Sequence, residues 1–289
     1  RKILEHKNRN FPIHKHVVKH YAKMNENKGL DIFGIKPIAS AIDATVQKSL
    51  EGIEGFLSLV CKPALGEIGL MAQDKVRYWR LGNALKMLEK AQGKLEFNND
   101  KLELKSHPRI GLSIIENSSL IDNDFVLELW AGLFASSCTL DGQDDENLIF
   151  IDLLKRLTTA QAKIIQYSVE NSRKILFANG IVSTDGELRL SADELKQITG
   201  VDNIYRIDRE LDTLNNMGLI PTLSGGFSIR GSELSSDIIA TDLALNLYVR
   251  CQGSTSNPNV YWKDELITEE ELNLEKQKIA ERRKSEKEK

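Results

Sequence analysis

Residues 116–137 read ENSSLIDNDFVLELWAGLFASS and contain the helix on which the fold depends. Asp122 and Asp124 predict its start, because a carboxylate accepts the N–H groups of a first turn and favours the positive end of the helix dipole. Apolar residues then recur at helical spacing along one face: Val126, Leu129, Trp130, Leu133 and Phe134. Small residues leave room for a second helix on another side: Ala131, Gly132, Ala135 and Ser136. We therefore predict a helix covered on two sides, at the centre of a helical domain.

The composition excludes several classes of protein. The 289 residues carry 39 Lys and Arg against 42 Asp and Glu, a net charge of −3, so no global field attracts nucleic acid or an anionic membrane. The three cysteines are far apart and form no CxxC pair, which favours a reducing cytoplasm and argues against a disulfide framework or a zinc site. Uncharged apolar runs such as GFLSLVC at 55–61 are far shorter than the ~20 residues of a spanning helix. We expect a cytoplasmic protein.

Composition divides the chain into four parts. The first, 1–23, holds seven Lys or Arg against one acid, and its histidines complete no metal site, so we interpret it as a non-native or disordered leader. Helical patterns predict a helical domain over 24–140 and a helical, winged-helix-like domain over 144–252. The last part, 253–289, is acidic first and basic last, which predicts a charged tail in the form of an exposed helix.

Segment 35–72 is amphipathic, interrupted at Pro37 and Pro63, and unusually rich in glycine, with Gly52, Gly55, Gly66 and Gly69. Each glycine in a helix interior costs ~1 kcal/mol relative to alanine. Close helix packing is one explanation; a segment that changes conformation or lies on a membrane surface is the other. The polar face lacks the basic excess that anionic lipids attract, which favours packing.

Residues 188–230 predict two short helices and a hairpin, in the order of a winged helix-turn-helix. Ser191 and Glu194 form a capping box for the first helix, which ends at Gly200. Two short strands around residues 225–226 make the hairpin. The predicted fold class is therefore mainly α, with an N-terminal helical domain followed by a winged-helix-like domain that contains a small β-hairpin.

The second of these helices, at about 203–217, would be the DNA-reading helix of such a unit. Residues 191–250 hold five bases and nine acids, a net charge of −4. Contacts of Lys and Arg with phosphate supply most non-specific affinity for DNA, so this balance disfavours nucleic acid. We interpret the unit as a protein-interaction or structural module. The candidate interaction residues are Arg206, Asp208 and Arg209 on this helix, together with Arg77 and Arg80 on a basic helix over 74–96.

No motif in the chain diagnoses catalysis. There is no GxxxxGK[ST] phosphate loop, no GxSxG elbow and no HExxH. Outside the leader the only histidine is His107, which precedes Pro108 at a predicted helix start, where a surface or capping role is usual. The acidic stretch TLDGQDDEN at 139–147 lacks EF-hand ligand spacing and predicts a turn before a helix. We predict no catalytic, cofactor-binding or metal residues and disfavour an enzyme, although carboxylate chemistry stays open.

The sequence also resembles a known family. An acidic residue, small residues, a Leu and an Asp pair precede LWAGLFA, which is similar to the signature of the abortive infection alpha family of bacterial phage-resistance proteins. The residues that carry this resemblance are Glu116, Leu120, Asp122, Asp124, Trp130, Ala131, Leu133 and Ala135. The helix VRYWRLGNALKMLEKA and the segment LIFIDLLKRLTTAQAKIIQ extend it to about residues 30–250. Gly132 and Phe134 depart from it, since such proteins usually carry aliphatic or polar residues there.

That resemblance implies a cytoplasmic bacterial protein that resists phage by arresting or killing the infected cell. It supplies no catalytic residue, so we expect action by protein–protein or membrane contact, without a cofactor. The expected partner is a protein, either a defence-system component or a phage factor. A homo-oligomer and peripheral membrane contact stay open, and nucleic acid is not expected. The alternatives are a winged-helix transcriptional regulator and a nuclease or hydrolase with an unrecognised carboxylate site.

Overall fold

The computed structural model describes residues 44–71, 75–95, 104–221, 226–230 and 233–287. The leader predicted over 1–23 and the part of the glycine-rich segment before residue 44 lie outside these described residues. Within them the chain forms twelve helices and eight short strands. The mainly α fold class is therefore confirmed.

The elements follow one another in three stretches. The first comprises α1 (Ala44–Val60), α2 (Ala64–Met71), α3 (Lys75–Lys94), β1 (Lys105–Ser106), α4 (Pro108–Ser118), α5 (Asp124–Ser136) and β2 (Cys138–Thr139). The second comprises α6 (Leu148–Arg156), α7 (Thr159–Asn171), β3 (Arg173–Leu176), β4 (Val182–Asp185), β5 (Arg189–Ser191), α8 (Ala192–Thr199) and α9 (Ile204–Asn216). The third comprises β6 (Ser228–Arg230), β7 (Glu233–Asp237), α10 (Asp242–Cys251), α11 (Pro258–Tyr261), β8 (Ile267–Thr268) and α12 (Glu269–Lys287).

The central helix α5 is capped by Asn123, one residue away from each aspartate that the sequence suggested. The Asn123 side chain accepts a hydrogen bond from the Val126 N–H at 3.1 Å, which satisfies one of the unpaired donors of the first turn. Asp124 is the first helical residue, so it still lies at the positive end of the dipole. The predicted start is thus right to within a residue, and the predicted capping side chain is wrong.

Helix α5 is covered on two sides, as predicted. Trp130, Leu133 and Phe134 are no more than 1% exposed and lie in the hydrophobic core with residues of α1, α3 and α4. On the small-residue side α10 approaches the α5 backbone directly. A Cβ atom placed on Gly132 would lie only 1.6 Å from the carbonyl oxygen of Cys251. The glycine at this position is therefore a requirement of helix packing.

Three glycines of α1 and α2 have no such role. The chain breaks between the two helices at Pro63, as predicted. However, a Cβ placed on Gly52, Gly55 or Gly66 would meet no atom of the described residues within 4 Å. The packing interpretation is therefore wrong for these three glycines, which face open space while the apolar side chains of the same helices point inward. They lower helix stability without a compensating contact.

The two halves of the chain share a hydrophobic core. A loop over residues 140–147 joins β2 to α6, where the sequence places its domain boundary. Beyond it α6 packs against α4 and α5, and α10 returns from the second half onto α5. One cluster of buried side chains accordingly runs from Leu50 in α1 to Trp262 after α11.

The second half contains two three-stranded sheets. The sequence predicted only a two-stranded hairpin in this region. The first sheet has the strand order β4–β3–β8 and was not predicted. Its strand β8 comes from the predicted tail and pairs in parallel with β3, Ile175 facing Ile267. Trp262 and Leu272 are 5% and 6% exposed, so the tail is anchored on the core and only part of it is an exposed helix. Strands of two to four residues are too short to show a clear alternation of apolar and polar residues, which is why the sequence pattern missed them.

Helices α8 and α9 follow the predicted order. The capping box of Ser191 and Glu194 is present, and Gly200 closes α8 with a positive φ of 71°. The second sheet has the order β5–β7–β6, and its hairpin joins β6 to β7 after residue 230, later than the predicted position at 225–226. Gly226, at φ 47°, lies ahead of this hairpin, beside Asp208 of α9.

Candidate interaction surfaces

Helix α9 presents a charged and aromatic face to solvent. Asn203 caps it by accepting the Arg206 N–H at 3.1 Å, and Ile207, Leu211 and Leu214 are buried. Because the helix buries one side, its other residues face outward. Tyr205 is 75% exposed, and both Arg206 and Arg209 are exposed. Arg209 makes no ion pair with any residue that the structure describes.

Two of the three acids in α9 are held away from this face. Asp208 accepts a hydrogen bond from the Phe227 N–H at 2.8 Å and thereby ties α9 to the segment that leads into β6. Glu210 is only 8% exposed and accepts a hydrogen bond from Thr158 Oγ1 at 2.9 Å, with Arg206 Nε at 3.4 Å. Glu210 is thus buried and paired with Arg206, and Asp208 is bound to the backbone ahead of β6. Asp208, predicted as an interaction residue, makes a structural bond here.

Two of the candidate interaction residues, Arg77 and Arg80, lie on α3 and not on α9. Helix α3 packs against α1, α2, α4 and α5, whereas α9 packs against α7 and α8. Arg80 is half-buried, and its Nε donates to Ser119 Oγ at 3.0 Å. The Asn83 amide donates to the Ser119 carbonyl oxygen at 3.1 Å. Arg80, predicted as an interaction residue, thus joins α3 to the end of α4. Arg77 is exposed.

The candidate nucleophiles have structural roles or unfavourable ionisation. His107 Nδ1 accepts the Arg109 N–H at 3.2 Å, which confirms the capping role at the start of α4. The cysteines are buried, and burial raises the pKa of Cys138 and of Cys251 to about 12. Burial also raises the pKa of Cys61. A thiol reacts as its thiolate, so none of these cysteines is activated. Among the described residues no group of three or more His, Cys, Asp or Glu could hold a metal ion.

A cluster around Lys174 was not anticipated from the sequence. Lys174 is 6% exposed on β3, with its Nζ 5.4 Å from the centroid of the Trp262 ring. Tyr248 stacks on Trp262 and donates its hydroxyl to Glu170 Oε1 at 3.2 Å. Burial lowers the pKa of Lys174, and this effect exceeds that of the nearby Glu265 and Glu170 carboxylates, which raise it. These contacts hold the C-terminal segment to β3 and α10, and only tertiary structure brings the residues together.

An open groove of about 530 Å³ lies where β4 meets the start of α10. Its two threonines are already engaged: Thr184 Oγ1 donates to the Ala240 carbonyl oxygen at 2.6 Å, and Thr241 Oγ1 donates to the Gly218 carbonyl oxygen at 2.7 Å. Asp185 pairs with Lys276 at 2.9 Å. The groove therefore offers few unpaired polar groups to a ligand.

Within the described part of the chain, no helix is both long and apolar enough to cross a bilayer.

Comparison with known proteins identifies one family. The model of the family described as abortive infection alpha matches residues 81–241, from α3 to the residue before α10. No curated protein matches the chain. No solved structure matches it either. The matched region, which is more than half of the chain, includes α5 and the α8–α9 unit.

Proposed function

The chain belongs to the abortive infection alpha family, and we propose that it acts in bacterial defence against phage by contact with a protein partner, not by catalysis. The family match over residues 81–241 is the observation that carries this proposal. Two features support the non-catalytic part. His107 caps a helix, and the cysteines have raised pKa values. The partner would be a defence-system component or a phage factor in the bacterial cytoplasm.

We further propose that residues 159–237 form a winged-helix unit that makes the partner contact. Apart from β3 and β4, which belong to the other sheet, the order is α7, β5, α8, α9, β6, β7. This order supports the proposal, because β5 precedes the two helices and pairs with β7 of the hairpin that follows them. The packing of α7 against α8 and α9 supports it as well. The exposed residues Tyr205, Arg206 and Arg209 would then lie on the helix that such units commonly use for recognition.

Duplex DNA is not expected to bind this unit appreciably. Residues 191–250 have a net charge of −4, and Asp193, Glu194 and Asp202 are exposed near α9. Fluorescence anisotropy with a random duplex at low salt is a stringent measurement, because phosphate attraction is strongest there. We expect no binding at micromolar protein. Micromolar binding that weakens steeply with salt, and that Arg206→Glu/Arg209→Glu removes, would instead support the transcriptional-regulator alternative.

The glycines of α1 and α2 suggest how the N-terminal half would act. Gly52, Gly55 and Gly66 face open space, so these helices could repack or lie on a partner or membrane surface at modest cost. Partner contact is favoured over membrane contact because the polar face of this segment lacks a basic excess. Vesicle flotation with anionic and neutral lipids separates the two modes.

Phage plating on bacteria that express the chain tests the proposal. We expect fewer plaques than with an empty vector, together with loss of the infected cells at high phage-to-cell ratio. Gly52→Ala/Gly55→Ala should stabilise α1 by about 1–2 kcal/mol and weaken protection if the helix must rearrange. Gly82→Ala, in α3, is the matched control, because an added Cβ there also meets no atom of the described residues within 4 Å. Protection without loss of infected cells would contradict abortive infection. Loss of protection in one folded Asp→Asn or Glu→Gln variant that still binds the partner would contradict the non-catalytic mechanism.

A further inference from the structure

The C-terminal segment completes one sheet of the second half from its edge. Strand β3 pairs with β4 on one side and with β8 on the other, where Ile175 faces Ile267 and Leu176 faces Thr268. If β8 left, the backbone groups on that side of β3 would be unpaired, and such an edge is a template for another extended segment. We call residues 263–287, which carry β8 and α12, the strap.

The strap is held to the rest of the chain by few contacts. Among its described side chains only Leu272 is buried, and Leu272 does not belong to the cluster of described side chains that forms the shared core. Two ion pairs, Arg173 with Glu275 and Lys276 with Asp185, join partly exposed side chains, and pairs of this kind contribute little stability. Local opening costs less where few apolar groups are buried. The strap can therefore leave β3 while the core stays folded.

A turn at the start of the strap provides its hinge. The preceding residue, Trp262, is 5% exposed, stacks on Tyr248 and belongs to the core cluster. The N–H groups of Glu265 and Leu266 donate to the Trp262 carbonyl oxygen at 2.7 and 3.1 Å, which closes the turn. Residues 263–265 are exposed. Trp262 thus fixes the point from which the strap opens, and the opening changes only the backbone that follows it.

We infer that the strap is an autoinhibitory segment, which covers the edge of β3 until an extended strand of the protein partner displaces it. This inference rests on the proposed function, and β3 lies within residues 159–237, the unit proposed for partner contact. The strap itself defines the chemistry of the incoming strand. That strand carries an apolar residue opposite Ile175 and leads into a helix with an apolar residue in place of Leu272 and an acid that reaches Arg173.

The tether gives the strap an advantage over a free segment of the same chemistry. A short connection holds the strap beside β3 at an effective concentration on the order of millimolar, so a free segment at micromolar concentration competes poorly. A partner that also contacts the chain outside the edge of β3 overcomes this advantage. The wild-type chain should therefore stay closed alone and open when the partner binds.

One substitution in the full chain should open the strap. Leu272→Asp would bury a carboxylate in place of an apolar side chain whenever the strap closes. Leu274→Asp, on the same helix, is the matched control, because Leu274 is 54% exposed. Hydrogen exchange followed by mass spectrometry over residues 173–176 should be at least about tenfold faster in Leu272→Asp than in the wild type. It should be unchanged in Leu274→Asp.

A fluorescein-labelled peptide with the sequence of residues 263–282 tests the vacated edge. By fluorescence anisotropy it should bind the Leu272→Asp chain at least about tenfold more tightly than the wild-type or Leu274→Asp chain, whose tethered straps compete with it. The same peptide with aspartate in place of its leucine at 272 should bind none of the three chains. Unchanged exchange in Leu272→Asp would overturn the inference. Faster exchange without peptide binding would also overturn it, since the edge of β3 would then accept no strand.

Growth of uninfected bacteria tests whether the strap inhibits. The Leu272→Asp chain should arrest growth without phage, because its partner site is already uncovered, whereas the wild-type and Leu274→Asp chains should not. Normal growth with an open Leu272→Asp chain would refute autoinhibition. If the wild type protects from phage while Leu272→Asp leaves the exchange unchanged, the inference fails and the proposed function stands. If the wild type gives no protection, the proposed function fails, and the exchange and peptide measurements still decide whether the strap opens and β3 accepts a strand.

Discussion

Gly132→Ala should cost at least about 4 kcal/mol of unfolding free energy, which is exceptional for the addition of one methyl group. The added Cβ would lie 1.6 Å from the Cys251 carbonyl oxygen and 2.3 Å from its carbonyl carbon. These are backbone atoms at the end of α10, so no side-chain rotation can relieve the overlap. The two helices would have to separate, and the core that joins the halves of the chain would open.

Thermal unfolding followed by circular dichroism measures the effect. A loss of 4 kcal/mol corresponds to a fall in Tm of roughly 8–16 °C for a domain of 150–250 residues. Gly82→Ala is the matched control, because a Cβ placed there meets no neighbouring atom within 4 Å. That control should stabilise α3 by about 0.5–1 kcal/mol, since alanine favours a helix over glycine. A Gly132→Ala variant that melts with the wild type would show that α5 and α10 do not pack as described.

Trp130→Ala should cost about 3–5 kcal/mol, because it removes a large ring from the centre of the core and leaves a cavity. Trp130 is 1% exposed and lies in the same cluster as the buried side chains of α3 and α4. Urea unfolding followed by circular dichroism gives the free energy directly, with the midpoint expected to fall at nearly constant slope.

Trp79→Ala controls for the loss of a tryptophan as such. Trp79 lies on α3 and is 45% exposed, so its removal should cost about 1 kcal/mol or less. Equal effects of the two substitutions would mean that Trp130 is not at the centre of the core. An unchanged midpoint for Trp130→Ala would turn the α5 stretch into a candidate partner surface.

Gly132→Ala and Trp130→Ala also help to distinguish a loss of phage protection caused by unfolding from one caused by a lost contact. Gly132 and Trp130 lie within the residues that the family model matches, yet each is buried. Loss of phage protection in either variant should follow the loss of folded protein in the cell. Arg209→Glu, by contrast, should keep the melting temperature of the wild type, because Arg209 is exposed and makes no ion pair with any described residue. A difference in protection there reports on contact and not on folding.

The position of the central helix was available from the sequence because one stretch repeats its apolar residues with the helical period. The same local logic located the capping box at Ser191 and the helix end at Gly200, since each depends on neighbours within a few residues. The family resemblance rested on this stretch too, and the family match includes it. The capping residue of α5 was misplaced by one position, because Asn and Asp are nearly equivalent as caps and the pattern could not choose between adjacent polar residues.

Which side chains form the exposed surfaces depends on contacts between distant segments, and no local sequence pattern predicts these contacts. From the sequence, Asp208 and Glu210 look like free surface carboxylates, yet they accept hydrogen bonds from Phe227 and Thr158, which lie 19 and 52 residues away. The sequence did not predict that Tyr205 and Ile229 are exposed, because the exposure of an apolar side chain depends on which distant segments pack over it.

The sequence by itself determined the helical class, the core face of α5 and most helix ends, because helix periodicity and capping are set by residues within one or two turns. Tertiary structure alone decided why position 132 must be glycine, since α10 reaches it from 119 residues further along the chain. It also decided that the tail pairs with β3, and which charges remain at the surface. These outcomes depend on long-range packing, where distant segments compete for the same space and the same hydrogen bonds.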